Sequence, residues 1–266
     1  MAIFAIRAIV TLAFIYLLLP IAIVIVTSFS SSPGLVFPPG GFTLHWYKNI
    51  SPEFIQAMRV SLIVALGTTA IATLVGTPTA LGLVRSEIPG KTAITALFLS
   101  PLMVSTFVIG VAAFQYTGKI WDITGISFGG NIPTLILGQS AFTIPFVIRA
   151  VITGHAHFDY ALEEVSLNLG ATPWQTFRRV TLPILMPGIV SGAIFAFIMS
   201  FDDVPVALFL GGGNAVTLPV KIYTSVEFSI DADVMAVGSI VIAGSLICTL
   251  LLNRLVGLDR FFSGNT

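Results

Sequence analysis

Charge and cysteine are what this sequence has least of. Only 9% of its 266 residues are Asp, Glu, Lys or Arg and 56% are hydrophobic, against roughly 25% and roughly 45–50% in soluble globular proteins. A soluble fold is close to excluded. The 12 basic and 12 acidic residues cancel, which leaves no basic field for nucleic acid and no acidic tail. The one cysteine, Cys248, lies in an apolar run; it cannot close an internal disulfide and reads as a small core residue, so thiol redox chemistry drops out.

The sequence also lacks an energy source of its own. A phosphate-cradling loop needs a glycine-rich turn followed by Lys and Ser or Thr at fixed spacing. The nearest approach is Gly90-Lys91-Thr92, but Arg85 stands where the first glycine belongs. His155 and His157 do not share a helix face, and no further His or Cys joins them, so no metal site is expected. Neither a Gly-x-Ser-x-Gly elbow nor a His-Glu-x-x-His helix occurs, which leaves hydrolysis without a nucleophile or a zinc.

What is present is long apolar runs. A spanning helix needs about 20 predominantly apolar residues, because each rises 1.5 Å and the hydrocarbon core is about 30 Å thick. Six runs meet this length, at about 9–29, 56–84, 92–114, 133–153, 184–210 and 234–256. The expectation is an all-α polytopic membrane protein, one transmembrane domain over 1–266 with six spans. The first run exceeds the core of a signal peptide and lacks a small-x-small cleavage site, so it reads as a retained helix. Placing both termini in the cytoplasm puts Arg7, Arg85, Lys91, Arg149, Arg178, Arg179, Arg254 and Arg260 inside, and Lys48, Arg59, Lys119 and Lys221 outside. That asymmetry follows the positive-inside rule. In the same frame Glu53, Asp122, Asp202, Asp203, Glu227, Asp231 and Asp233 fall at or beyond the outer half, a field that concentrates cations; Glu87 and Asp259 read as solvated cytoplasmic groups.

Between the fourth and fifth runs, the loop at 155–183 reads as two short helices with a hinge. Asp159 is placed to cap the first, whose Ala161, Val165 and Leu169 make an apolar stripe at i, i+4 and i+8. Gly170 stops it in a left-handed turn. Thr172 and Gln175 form a capping box around Pro173 and start the second helix. Such a knob suits a groove on a partner protein; the alternative is a surface loop packed on its own bundle. At the outer end of the fifth run, Asp202 lies about 27 Å along a helix starting at Ile184. Adjacent carboxylates there diverge by about 100° unless the helix opens, for which Pro205 gives a reason. At least one of Asp202 and Asp203 attracts a cationic solute, or both begin a solvated loop. Trp46, Tyr47 and Tyr223 are candidate outer aromatics or interfacial anchors. Ala72, Gly76 and Ala80 form a close-packing stripe, and Pro78 is expected to kink the second helix.

Two motifs then carry a resemblance. Glu164-Val165-Ser166, three residues, Gly170, nine residues and Val180-Thr181-Leu182-Pro183 resemble the Glu-Ala-Ala loop of ABC importer permeases, with Val165, Ser166 and Val180 standing where that family most often has Ala, Ala and Ile. The resemblance implies that this loop is the coupling helix docking into a separate ATPase subunit. Glu163, Glu164, Ser166, Gly170, Ala171, Leu182 and Pro183 are then the coupling residues, Glu164 as a contact and Gly170 as the turn. Six spans with both ends inside resemble the type I importer permeases, in which the last five helices form the core and the first packs along the partner permease. Ser200-Phe-Asp-Asp-Val204 followed by Thr217-Leu-Pro-Val-Lys-Ile-Tyr223 is similar to the spermidine/putrescine permeases, specifically the second of their two permease subunits. This implies a polyamine path past Asp202, Asp203 and Tyr223. The implied assembly contains a second permease, two ATPase subunits and a periplasmic solute-binding protein in a bacterial inner membrane, with no catalytic residue, cofactor or nucleic acid on this chain and ATP bound by the partners. The alternatives are the same importer type for an amino acid or aminophosphonate, an ATPase-independent channel or carrier, and a membrane-embedded enzyme for which no catalytic constellation exists.

Overall fold

The computed structural model describes residues 2–32, 38–125, 127–156, 158–228 and 232–256. His157, Asp231, Asp259 and Arg260 lie outside the described residues, and Cys248 and Arg254 are described in backbone only. The helices in chain order are α1 (Ala2–Ser28), α2 (His45–Lys48), α3 (Pro52–Arg85), α4 (Lys91–Leu99), α5 (Thr106–Thr124), α6 (Ile132–His155), α7 (Ala161–Asn168), α8 (Pro173–Thr176), α9 (Leu182–Phe201), α10 (Pro205–Leu210), α11 (Leu218–Phe228) and α12 (Ala232–Val256).

Four stretches are long and apolar enough to cross a membrane: Ile6–Ser28, Pro52–Arg85, Ile132–His155 and Pro173–Phe201. The third expected span is not a straight helix. Its residues form α4, a 3-10 turn at Ser100–Met103 and the start of α5, with a 97° bend between the two helical arms. Pro101 lacks an N–H for the helix ladder, Val104 is extended, and Ser105 restarts the helix by accepting the Phe107 N–H. Counted as one, this bent pair is a fifth span. The fifth expected run, 184–210, is likewise interrupted. Its main helix α9 ends at Phe201, and α10 starts again at Pro205. The sixth expected run lies in α12, which is 25 residues long. At Pro78 the helix α3 continues without a break.

The chain forms two compact units. The first comprises 1–56 and 221–266. In it α1 packs on α12, where Gly238 faces Val24. The Tyr47 hydroxyl lies 2.6 Å from Ser28 Oγ and 2.7 Å from Ser239 Oγ, and the Trp46 indole N–H donates to the Ser30 carbonyl at 2.8 Å. Both aromatics are therefore tied into this unit by hydrogen bonds. Most of the apolar side chains of α1 stay exposed, as suits a helix whose neighbours are lipid or protein.

The second unit, 57–220, is built around α6. One end of its core joins Val60, Val64, Leu135, Phe142, Val206 and Leu210; the other joins Ala72, Ala80, Leu83, Val147, Ile148 and Val151. Small residues set the helix spacing. Ala72 and Ala80 are fully buried, and a Cβ added at Gly76 would sit 2.9 Å from Val147 Cβ. A second small-residue stripe, Gly188, Gly192 and Ala196, brings α9 against α6. There the backbones meet: a Cβ at Gly188 would lie 3.1 Å from the Ala150 carbonyl oxygen, and one at Gly192 would lie 3.0 Å from Val147 Cα.

Candidate functional site

The loop between α6 and α9 folds into a knob. Asp159 Oδ1 accepts the Ala161 N–H at 3.0 Å and starts α7. Its C-terminus closes as a Schellman motif, with the Gly170 N–H donating to Leu167 O at 2.9 Å and the Ala171 N–H to Ser166 O at 3.2 Å. This geometry requires the left-handed backbone found at Gly170, φ +88°. Thr172 and Gln175 form the reciprocal capping box around Pro173, and α8 follows at once.

The second knob helix does not end before the membrane. A π-helical turn, Phe177–Thr181, carries α8 directly into α9, so that one run extends from Pro173 to Phe201. A π turn has a physical reason here: Pro183 has no N–H to give the Arg179 carbonyl, and the wider i→i+5 turn takes up the mismatch.

The coupling residues read from the sequence face different ways. Glu164 is exposed, whereas Glu163 is partly buried and accepts from Arg85 at the end of α3 and from the buried Thr181 hydroxyl. Ser166 Oγ is 3.0 Å from Thr176 Oγ1, which ties α7 to α8. Leu182 and Pro183 form the first turn of α9. Val165 and Leu169 of the apolar stripe, with Leu162 and Trp174 beside them, are exposed, Leu169 to 83%. That stripe is not spent on the knob's own bundle. His155 is buried at the end of α6, its ring against those of Phe158 and Tyr160 at 4.9 and 5.5 Å.

At the far end of the same run the helix opens at 202–204, and the acid pair divides. Asp203 is 5% exposed, and its Oδ2 accepts the Ala207 N–H at 2.9 Å and Gln139 Nε2 at 3.2 Å. Gln139 is fully buried, and its Oε1 accepts the Ser200 hydroxyl. Asp203 thus caps α10 and satisfies a buried amide. Asp202 is exposed. Asp202 and Asp203 both line a cavity of about 210 Å3 whose other walls include Leu102 and Val104 of the α4–α5 bend, with Phe142, Phe146 and Met199. The two helix breaks, at Pro101 and before Pro205, therefore meet around one cavity. Tyr223 stands on α11 in the first unit and is exposed. Gln139 was not singled out from the sequence. Its signal was there, as the one amide in the apolar run 133–153.

Comparison with known proteins agrees with this architecture. A family model described as binding-protein-dependent transport system inner membrane component matches residues 84–258. The chain belongs to this family of inner-membrane transport permeases. It is 31% identical over 259 residues to the spermidine/putrescine transport system permease protein PotC of Escherichia coli K12, covering 96% of this chain and 94% of that one. It is 28% identical over 237 residues to the putrescine transport system permease protein PotI of the same organism, covering 88% and 84%. Among solved structures, a bacterial ABC transporter involved in the import of the acidic polysaccharide alginate superposes with a TM-score of 0.72 at 16% identity, over 96% of each chain. The fold is that of the type I ABC importer permeases.

Proposed function

We propose that this chain is one permease of a heterodimeric ABC importer that moves a small polyamine of the spermidine or putrescine class across a bacterial inner membrane, with both termini cytoplasmic. In this reading two ATPase subunits bind the cytoplasmic face and a periplasmic solute-binding protein delivers the solute. The observation that carries it is the exposed apolar knob turned on Gly170, seated on a helical run that ends at the Asp202 cavity. Family membership and the likeness to polyamine permeases support this class of cargo.

The mechanism follows from that run. Its 29 residues span about 44 Å at 1.5 Å each, so one lever joins the coupling knob to the cavity. ATP-driven closure of the ATPase dimer displaces the knob. The lever then tilts the Asp202 end, and the cavity changes the side to which it opens. In this reading the chain itself binds no nucleotide or cofactor, and ATP is bound by the partners. Asp202, which lines the cavity, supplies the anionic partner for an ammonium group, and Asp203 holds the opening in shape.

Two experiments test this. An ATPase subunit copurifies with the wild-type chain. It is lost with Gly170→Val, because a β-branched residue at φ +88° costs about 1–2 kcal/mol and misdirects the knob. Retention of the ATPase by Gly170→Val contradicts the docking role. Asp202→Asn lowers putrescine uptake about tenfold, the equivalent of about 1.4 kcal/mol of lost ion pairing, with yield and melting temperature unchanged. Uptake at the wild-type rate removes Asp202 from the path.

A further inference from the structure

The coupling loop is tied to more than the helix that follows it. Arg85 is the last residue of α3, far in sequence from the knob, yet its guanidinium donates to Glu163 Oε1 of α7. The same oxygen accepts from Thr181 Oγ1 in the π turn. One carboxylate oxygen thus gathers three elements: the knob, the end of α3 and the root of α9.

The surroundings of this junction say what it does. Its ion pair is a poor source of stability, since the Arg85 side chain is 39% exposed and exposed pairs contribute little. The junction is not close-packed either: a cavity of about 160 Å3 lies beside it, lined in part by Leu167, Pro173 and Phe177. Besides the carboxylate, a hydrogen bond between Ser166 and Thr176 ties α7 to this region, beside that space. Above the junction α3 is locked to α6 through Gly76, and α6 to α9 through Gly188 and Gly192.

We infer that Glu163 is a positioning residue rather than an ATPase contact, and that the Arg85–Glu163–Thr181 junction locks the coupling knob to α3 so that α3, α6 and α9 move as one body when the knob is displaced. Glu164, one residue on and about 100° round the helix, faces outward and keeps the docking role. This inference rests on the importer reading and adds a transmission step to it. A knob held only at α8 would turn on its π turn and dissipate the ATPase stroke. A knob held at α3 as well delivers it to the whole bundle.

The test uses the complete importer, reconstituted with its ATPase subunits and binding protein, and reads putrescine moved per ATP hydrolysed. Glu163→Gln and Arg85→Gln retain the copurifying ATPase and hydrolyse ATP within about twofold of wild type. Both lower the transport-to-hydrolysis ratio at least about fivefold, the low end of a coupling between sites. The charge exchange Arg85→Glu with Glu163→Arg restores most of the ratio, whereas Arg85→Glu alone is the worst of the set. A wild-type ratio in both glutamine variants overturns the inference, as does an exchange no better than Arg85→Glu alone. Loss of the ATPase from Glu163→Gln also overturns it, because Glu163 would then be a docking contact. An importer reading that fails shows itself differently: the wild-type complex moves no solute with ATP, and the inference falls with it.

Discussion

Gly192→Leu is expected to lower the melting temperature of the solubilised protein by about 2–12 °C. A Cβ at this position already lies 3.0 Å from Val147 Cα and 3.2 Å from Ala150 Cβ, tighter than ordinary contact between carbon atoms. The atoms it meets belong to the backbone and Cβ of α6, so no rotamer change relieves the clash; leucine forces the two helices apart. Overpacking of this kind costs about 1–3 kcal/mol, and each kcal/mol lowers the melting temperature by about 2–4 °C in a chain of this size. Gly192→Ala asks for only a few tenths of an ångström and falls between. The measurement is the thermal melting midpoint after detergent extraction. A leucine variant that melts with the wild type would mean that α6 and α9 are not in backbone contact.

Asp203→Ala is expected to lower the melting temperature of the solubilised protein by roughly 5–10 °C. The substitution leaves the buried Gln139 amide and the Ala207 N–H without their shared acceptor. Two orphaned donors cost about 2–3 kcal/mol together, and each kcal/mol lowers the melting temperature by about 2–4 °C in a chain of this size. Asp203→Asn keeps an oxygen for both donors and melts close to wild type. Asp202→Ala removes no buried partner and melts with wild type while its uptake falls. The adjacent acids thus separate by assay: Asp203 moves stability and Asp202 moves transport. An Asp203→Ala variant that melts with wild type would contradict the cap.

Much of this was legible before any coordinates. The apolar runs at 9–29, 56–84 and 133–153 coincide with α1, α3 and α6, because a membrane helix writes its length directly into composition. The knob was legible residue by residue: Asp159, Gly170, Thr172 and Gln175 make backbone hydrogen bonds decided by their immediate neighbours. Breaks inside apolar runs were less visible. At Pro101 the chain bends by 97° without a change in polarity, and a hydropathy window cannot see a turn made of Ser, Pro, Leu and Met. The opening at 202–204 had a local cue in Pro205, but the split between a buried Asp203 and an exposed Asp202 depends on Gln139, 64 residues away. Glu163 likewise reads as a twin of Glu164 until Arg85 is placed beside it. Small-residue stripes announce close approach but not the partner face; both Ala72-Gly76-Ala80 and Gly188-Gly192-Ala196 turn out to meet α6.

The central claim is that this chain is a passive lever driven by a separate ATPase. It is tested most directly by following labelled putrescine into sealed vesicles that carry either the complete complex, purified through a tag on this chain, or this polypeptide alone. Uptake is predicted only with the complex and only when ATP reaches the ATPase face, and Gly170→Val abolishes it. Nucleotide-independent flux through the polypeptide alone would contradict the account.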